Sequence, residues 1–132
     1  MEIMSLELIV LNRWTENYIL FCGNHDSTNR IEIYKNLPNV IDIKYADMIQ
    51  YKKFTFFLCH YQVYMGNYDH QMDKVWCIHG HTHSQDKFCE IAKNYNVCVD
   101  AHNCYPIEIE EILNDIHNEW NKIFQNKIHN LT

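Results

Sequence analysis

Three short apolar runs in this chain each stop at a residue able to bind a metal or move a proton, and that pattern limits the available folds more than any other feature. Tyr18-Ile19-Leu20-Phe21-Cys22 runs into Gly23-Asn24-His25-Asp26. Phe54-Thr55-Phe56-Phe57-Leu58-Cys59 runs into His60-Tyr61-Gln62, and Val75-Trp76-Cys77-Ile78 into His79-Gly80-His81-Thr82-His83. Runs of this length, rich in aromatic and aliphatic residues, read as buried strands. In open α/β sheets ligands bind beyond the carboxyl ends of the strands, so the three tips can share one rim. An average composition would give roughly nine glycines in this length. There are three, and Gly23 and Gly80 each stand directly before a candidate ligand, where a backbone without Cβ can turn tightly.

If the third run is a strand, His81 and His83, two residues apart in extended backbone, project to the same side. They could then bind one cation or two adjacent ones, since neutral imidazole is the commonest nitrogen ligand of zinc, iron and manganese. Taken alone, the stretch reads equally well as a surface turn that carries histidines.

Taken together, Gly23-Asn24-His25-Asp26, the isolated His60 after an apolar strand, and Gly80-His81-Thr82-His83 resemble the second half of the signature of the calcineurin-like metallophosphoesterases, in order and with compatible separations. Asn96-Val97-Cys98-Val99-Asp100-Ala101-His102-Asn103, followed by Tyr105-Pro106-Ile107, resembles the closing strand and loop of small bacterial and phage members. The similarity runs from about Tyr18 to about Glu111. The resemblance implies an α/β fold in which mixed β-sheets flanked by helices form a sandwich. This chain would hold the C-terminal two-thirds of it as a single, N-terminally truncated domain over residues 1–132. The implied chemistry is hydrolysis of phosphomonoesters or phosphodiesters by a metal-bound hydroxide. Complete members hold two divalent cations, of manganese, iron, zinc or nickel, about 3.5–4 Å apart. By resemblance, Asn24, His60 and His81 would ligate one cation and His83 the other. His25, oriented by Asp26, would stabilise or protonate the leaving group.

The departures from that family set a second expectation. There, a first strand ends in Asp-x-His and a second in Gly-Asp, which together supply most of one metal site and the carboxylate bridging both metals. Neither motif precedes Gly23, no Gly-Asp pair occurs, and Asp100-Ala101-His102 follows the histidine pair and reads as the closing loop. One cation would keep three protein ligands and the other His83 alone. Three ligands with open positions suit a catalytic metal, and a single imidazole does not hold one tightly. The expectation is one cation or a weakly loaded pair, impaired hydrolysis, and a sheet face covered by an N-terminal fragment or a second copy. The alternative is a catalytically inactive metal-binding remnant or partner-binding module.

The formal net charge of −6 and pI near 5.8 argue against a surface for bulk nucleic acid. No apolar run approaches the ~20 residues that span a bilayer. The Met1-Glu2 start lacks the basic region and apolar core of a signal peptide, so a soluble cytoplasmic protein is expected, with no membrane partner. Of six cysteines, Cys22, Cys59, Cys77 and Cys98 lie inside apolar runs, where cysteine behaves as a small hydrophobe. Cys22 with His25, or Cys77 with His79, is the structural-zinc alternative.

Elsewhere, Leu6, Ile9, Val10 and Trp14 suggest the tail of a helix, and Thr15-Glu16-Asn17 a turn. Ser27 and Thr28 offer an N-cap to a short amphipathic helix that stops at Leu37-Pro38-Asn39. Strands are expected over Val40 to Ile43, Met48 to Tyr51 and Asn96 to Asp100. Tyr61 to Lys74 reads as a loop whose Tyr61, Tyr64 and Tyr68 either shape a substrate pocket or serve as ordinary anchors. Ile109, Ile112, Leu113, Ile116, Trp120, Ile123 and Phe124 fit a helix from Glu108 to about Lys127, with His117 and His129 as solvated bystanders.

Overall fold

The computed structural model describes residues 8–12, 17–65, 74–89 and 91–131. Among these described residues, seven strands divide into two sheets, accompanied by two α-helices. A three-stranded sheet has the order β1 (Leu8–Asn12), β2 (Asn17–Phe21), β3 (Val40–Lys44), with β1 antiparallel and β3 parallel to β2. A four-stranded sheet runs β4 (Ala46–Tyr51), β5 (Phe54–Cys59), β6 (Val75–His79), β7 (Asn94–Asn96), parallel except for the antiparallel edge strand β4. Helix α1 (Thr28–Lys35) follows β2, and α2 (Ile109–His129) ends the described chain. The architecture is mixed α/β. Among the described residues no helix is long and apolar enough to cross a membrane.

Residue pattern explains the four-stranded sheet. Phe54, Phe56 and Leu58 of β5 are buried while Thr55, Phe57 and Cys59 are half-buried, the period-two signature of a strand with one better-covered face. β6 lies between two parallel neighbours, and Trp76 through His79 are all buried, as expected of a central strand covered on both sides. α2 lays Ile112, Leu113 and Ile116 on this sheet, each contributing about 1.5–3 kcal/mol by leaving water. Its N-terminus is closed by a reciprocal capping box between Glu108 and Glu111. Tyr95 donates its buried hydroxyl proton to Asp115 at 2.6 Å, tying β7 to the helix. Phe21 of β2 joins the same core.

Four expectations change. The N-terminal segment is a strand where a helix was expected: Leu8-Ile9-Val10 pairs with Tyr18-Ile19-Leu20, and β pairing overrides a helical spacing read from a handful of residues. Leu6, Trp14, Thr15 and Glu16 lie outside the described residues. α1 forms where expected, with the Ser27 hydroxyl accepting the Arg30 N–H at 3.4 Å, yet it buries none of its residues and so is not amphipathic in use. The last strand is Asn94–Asn96, which begins two residues and ends four residues before the expected Asn96 to Asp100, and Val99–Ala101 forms a 3-10 turn carrying Asp100. His117 is exposed yet set edge-on to Phe54, ring centroids 5.7 Å apart, so it is a packing residue of α2.

Candidate metal centre

The carboxyl ends of β2, β5 and β6 meet. His60 continues the buried phase of Phe54, Phe56 and Leu58 one step beyond β5 and is only 4% exposed. The Gly80 N–H donates to the His60 carbonyl at 3.1 Å, which joins the tips of β5 and β6. Over this junction three donor atoms converge. His60 Nε2 lies 3.0 Å from Asn24 Oδ1 and 3.1 Å from His81 Nδ1, and His81 Nδ1 lies 3.1 Å from Asn24 Oδ1.

Hydrogen bonds alone satisfy this triangle poorly. If both ring nitrogens carry protons toward the amide oxygen, those protons face each other across the third edge. If only one does, a single N–H must serve two acceptors. A cation fits better, because adjacent donors around a six-coordinate ion with bonds of about 2.1 Å stand about 3.0 Å apart. Among the described residues no three His, Cys, Asp or Glu side chains gather to hold a metal; here the third donor is an amide.

Two backbone features make the convergence possible. A Cβ on Gly23 would lie 2.5 Å from His60 Cδ2 and Nε2 and 2.6 Å from Cε1, so the ring occupies space that only glycine leaves open. His81 and His83 both take left-handed backbone, with φ of 63° and 50°. Histidine visits this region more readily than most residues, and such conformations concentrate at functional sites. The expected extended His81-Thr82-His83 is therefore corrected. β6 ends at His79, and the two rings part, His81 toward Asn24 and His60, His83 toward Asp100, whose Oδ2 is 3.3 Å from His83 Nδ1.

The remaining motif residues stand around this centre. Burial holds the His60 imidazole below its ordinary value, the His81, His25 and His83 rings push the same way, and the Asp26 carboxylate opposes them. A neutral imidazole is the form that ligates. Asp26 accepts the Gly23 N–H at 2.7 Å and the Tyr34 hydroxyl proton at 3.2 Å, so both carboxylate oxygens brace the turn that presents Asn24 and His25. His25 is exposed, and its carbonyl accepts from Arg30 at 2.9 Å. Tyr61 sets its ring edge-on to both His60 and His81, centroids 4.9 Å from each. Tyr64 is exposed, and Tyr68 lies outside the described residues.

His79, the first histidine of the run, turns away from the rim. It is fully buried, Nδ1 donating to the Gly80 carbonyl at 2.8 Å and Nε2 facing Cys89 Sγ at 3.3 Å, while Cys77 Sγ points to the Tyr61 carbonyl at 3.8 Å. Burial pushes the Cys22 and Cys89 thiols up, away from the thiolate that zinc takes. Burial also holds His79 below its ordinary value, opposed by the Gly80 carbonyl and aided by His81. An unfolded histidine protonates near pH 6.5. Around and below that pH the unfolded chain therefore binds more protons than the folded one, so this stability is present above about pH 6.5 and lost as pH falls toward the folded value. Melting temperature is expected to drop between about pH 7.5 and about pH 5.5, with a shallower slope in His79→Gln. A melting temperature flat across that interval would contradict the assignment.

Sequence reasoning read Asp100 as part of a closing loop, with a displaced ligand motif as the lesser reading and Asp100 as the foremost substitute for the bridging carboxylate; it lies beside His83. The same reasoning missed Asn94 and Asn96, both buried. Asn94 bonds Val63 through both amide groups, holding the segment after His60 against β7. Asn96 donates to the Ser84 and Asp86 carbonyls, fixing the loop beyond His83. The Asn-Tyr-Asn triplet was the available signal, since asparagine is depleted in strands unless its side chain has backbone to bind. Comparison with protein-family models, curated proteins and solved structures finds no match for this chain.

Proposed function

We propose that this chain carries a divalent-metal site for phosphate-ester hydrolysis of the calcineurin-like metallophosphoesterase kind, in a partial version of that family's two-sheet sandwich, acting in the cytoplasm. The observation that supports the reading is the closed triangle of Asn24 Oδ1, His60 Nε2 and His81 Nδ1. When bound, the cation supplies a Lewis acid that neutralises charge on phosphoryl oxygens. The chain's own residues do the rest. His60, kept neutral by burial, and His81 present lone pairs, and Gly23 leaves room for the His60 ring. His25 gives a proton to the leaving oxygen from a turn braced by Asp26. His83, with Nδ1 toward Asp100, would keep a lone pair at Nε2 for the second cation. The triangle contains no carboxylate, which favours as second reading a metal-binding remnant without turnover.

Hydrolysis of bis-p-nitrophenyl phosphate with manganese is expected to be slow, because one general acid contributes only about 10²–10⁴-fold. It should vanish in His60→Ala and His81→Ala and fall in His25→Ala. Manganese should raise the melting temperature with the logarithm of its concentration in the native chain, in His117→Ala and in His129→Ala, but not in the two ligand variants. A retained rise without turnover would assign the remnant reading. Equal rises in all four variants would remove the ligand assignment.

A further inference from the structure

Lys52, Lys53 and Lys74 stand around a hollow of about 300 Å³ lined by Phe54, Leu113, His117 and Trp120. Three of the lining rings form a cluster, with centroids 5.7 Å (Phe54 to His117), 5.9 Å (Phe54 to Trp120) and 6.3 Å (His117 to Trp120) apart. Leu113, His117 and Trp120 belong to α2, and the same helix face continues through Phe124 and Ile128, at spacings that keep all five in one stripe. Past Trp120 this stripe has left the core: Phe124 is 63% and Ile128 44% exposed. An apolar groove thus opens from a cation-rimmed hollow onto an uncovered helix face.

Charge selects the occupant. The chain carries 17 acidic and 11 basic residues, yet three lysines surround this one mouth and Lys127 adjoins the stripe. Among the described residues, the acid beside the hollow is Glu110, which takes up Lys52 at 2.8 Å, so Lys53 and Lys74 are the lysines that meet an occupant. A second copy of α2 laid antiparallel along the stripe would bring its own Lys127 to the lysine mouth, a like-charge arrangement. A membrane surface is met by the exposed stripe alone, whereas a side chain of a partner can also enter the hollow beside it. An amphipathic helix with apolar residues on one face and acidic residues on its flanks meets every requirement: one side chain fills the hollow, the rest cover the stripe, and the acids meet the lysines. We propose that this groove docks an acidic amphipathic helix of a partner protein.

The test uses two fluorescent synthetic helices of about 18 residues, each with a leucine face, one flanked by glutamates and one by lysines. The glutamate helix should bind in the micromolar range, more weakly at high salt. Affinity should fall at least tenfold in Phe124→Ser and in the double variant Lys53→Glu with Lys74→Glu. All these side chains are exposed, so the variants should melt as the native chain does, and the lysine helix should not bind. Equal binding of both helices, or no binding at about 100 µM, overturns the proposal. It is equally overturned if sedimentation shows a dimer that Phe124→Ser dissociates, or if the groove binds phosphatidylserine vesicles in place of the helix.

Discussion

Gly23→Ala is expected to abolish manganese-dependent stabilisation while leaving the chain folded. The added methyl would stand 2.5 Å from two atoms of the His60 ring, one of them the donor Nε2 itself. Carbon atoms pack at about 3.5–4.0 Å, so the ring must move by an ångström or more. It has little room, with Tyr61 and His81 each set edge-on at a centroid distance of 4.9 Å. Overpacking of this kind costs about 1–3 kcal/mol, and the displaced nitrogen leaves the triangle. Thermal shift with manganese, alongside urea unfolding without it, separates loss of the site from loss of the fold. An unchanged manganese response would mean that the ring position is not what creates the site.

The largest effect on stability is expected from Asn96→Ala. Asn96 is fully buried, and its side chain makes three bonds to backbone: it donates to the Ser84 carbonyl at 3.0 Å and to the Asp86 carbonyl at 2.9 Å, and accepts the Cys98 N–H at 3.0 Å. Truncation leaves the buried Cys98 N–H without its acceptor and the two part-buried loop carbonyls without their donor. Each unsatisfied buried group costs about 1–3 kcal/mol, so with partial relaxation a loss of about 3–5 kcal/mol is expected by urea unfolding. Asn96→Asp should fare little better, because a carboxylate can still accept from Cys98 but turns an acceptor toward two carbonyls. A loss below about 1 kcal/mol in Asn96→Ala would show that water replaces these bonds.

The elements most legible in the sequence are those whose residues agree at every level. Phe54 to Cys59 combines aromatic and apolar residues, period-two burial and a two-residue turn before it, and its limits were readable as they stand. The long helix was legible because its apolar spacing persists across many turns. The site was legible as a set of strand ends, since Asn24, His60 and His81 each follow an apolar run, and they do converge. Its conformation was not. Nothing in the letters of His81 and His83 announces left-handed backbone, because histidine adopts it only when surrounding contacts impose it. The place of β7 was hidden for a related reason: Asn94 and Asn96 are poor strand formers whose pairing follows from side-chain bonds to distant loops. The role of Asp26 was half visible. Its carboxylate is spent on Gly23 and Tyr34, so it shapes the turn that carries His25.

The triangle is made of one amide oxygen and two imidazoles, and His60 is held neutral by burial. None of the three donors brings a negative charge, so a divalent ion seated there keeps its whole positive charge, in a chain whose formal charge is −6. If the proposed site takes a cation, such a centre would hold its ion loosely by itself and grip it once a phosphate arrived to share the charge. Linkage requires the converse in equal measure: the ion raises affinity for phosphate by the same factor that phosphate raises affinity for the ion. In the proposed site cation and anion would thus be ligands of each other, with the protein supplying the uncharged frame in which they meet.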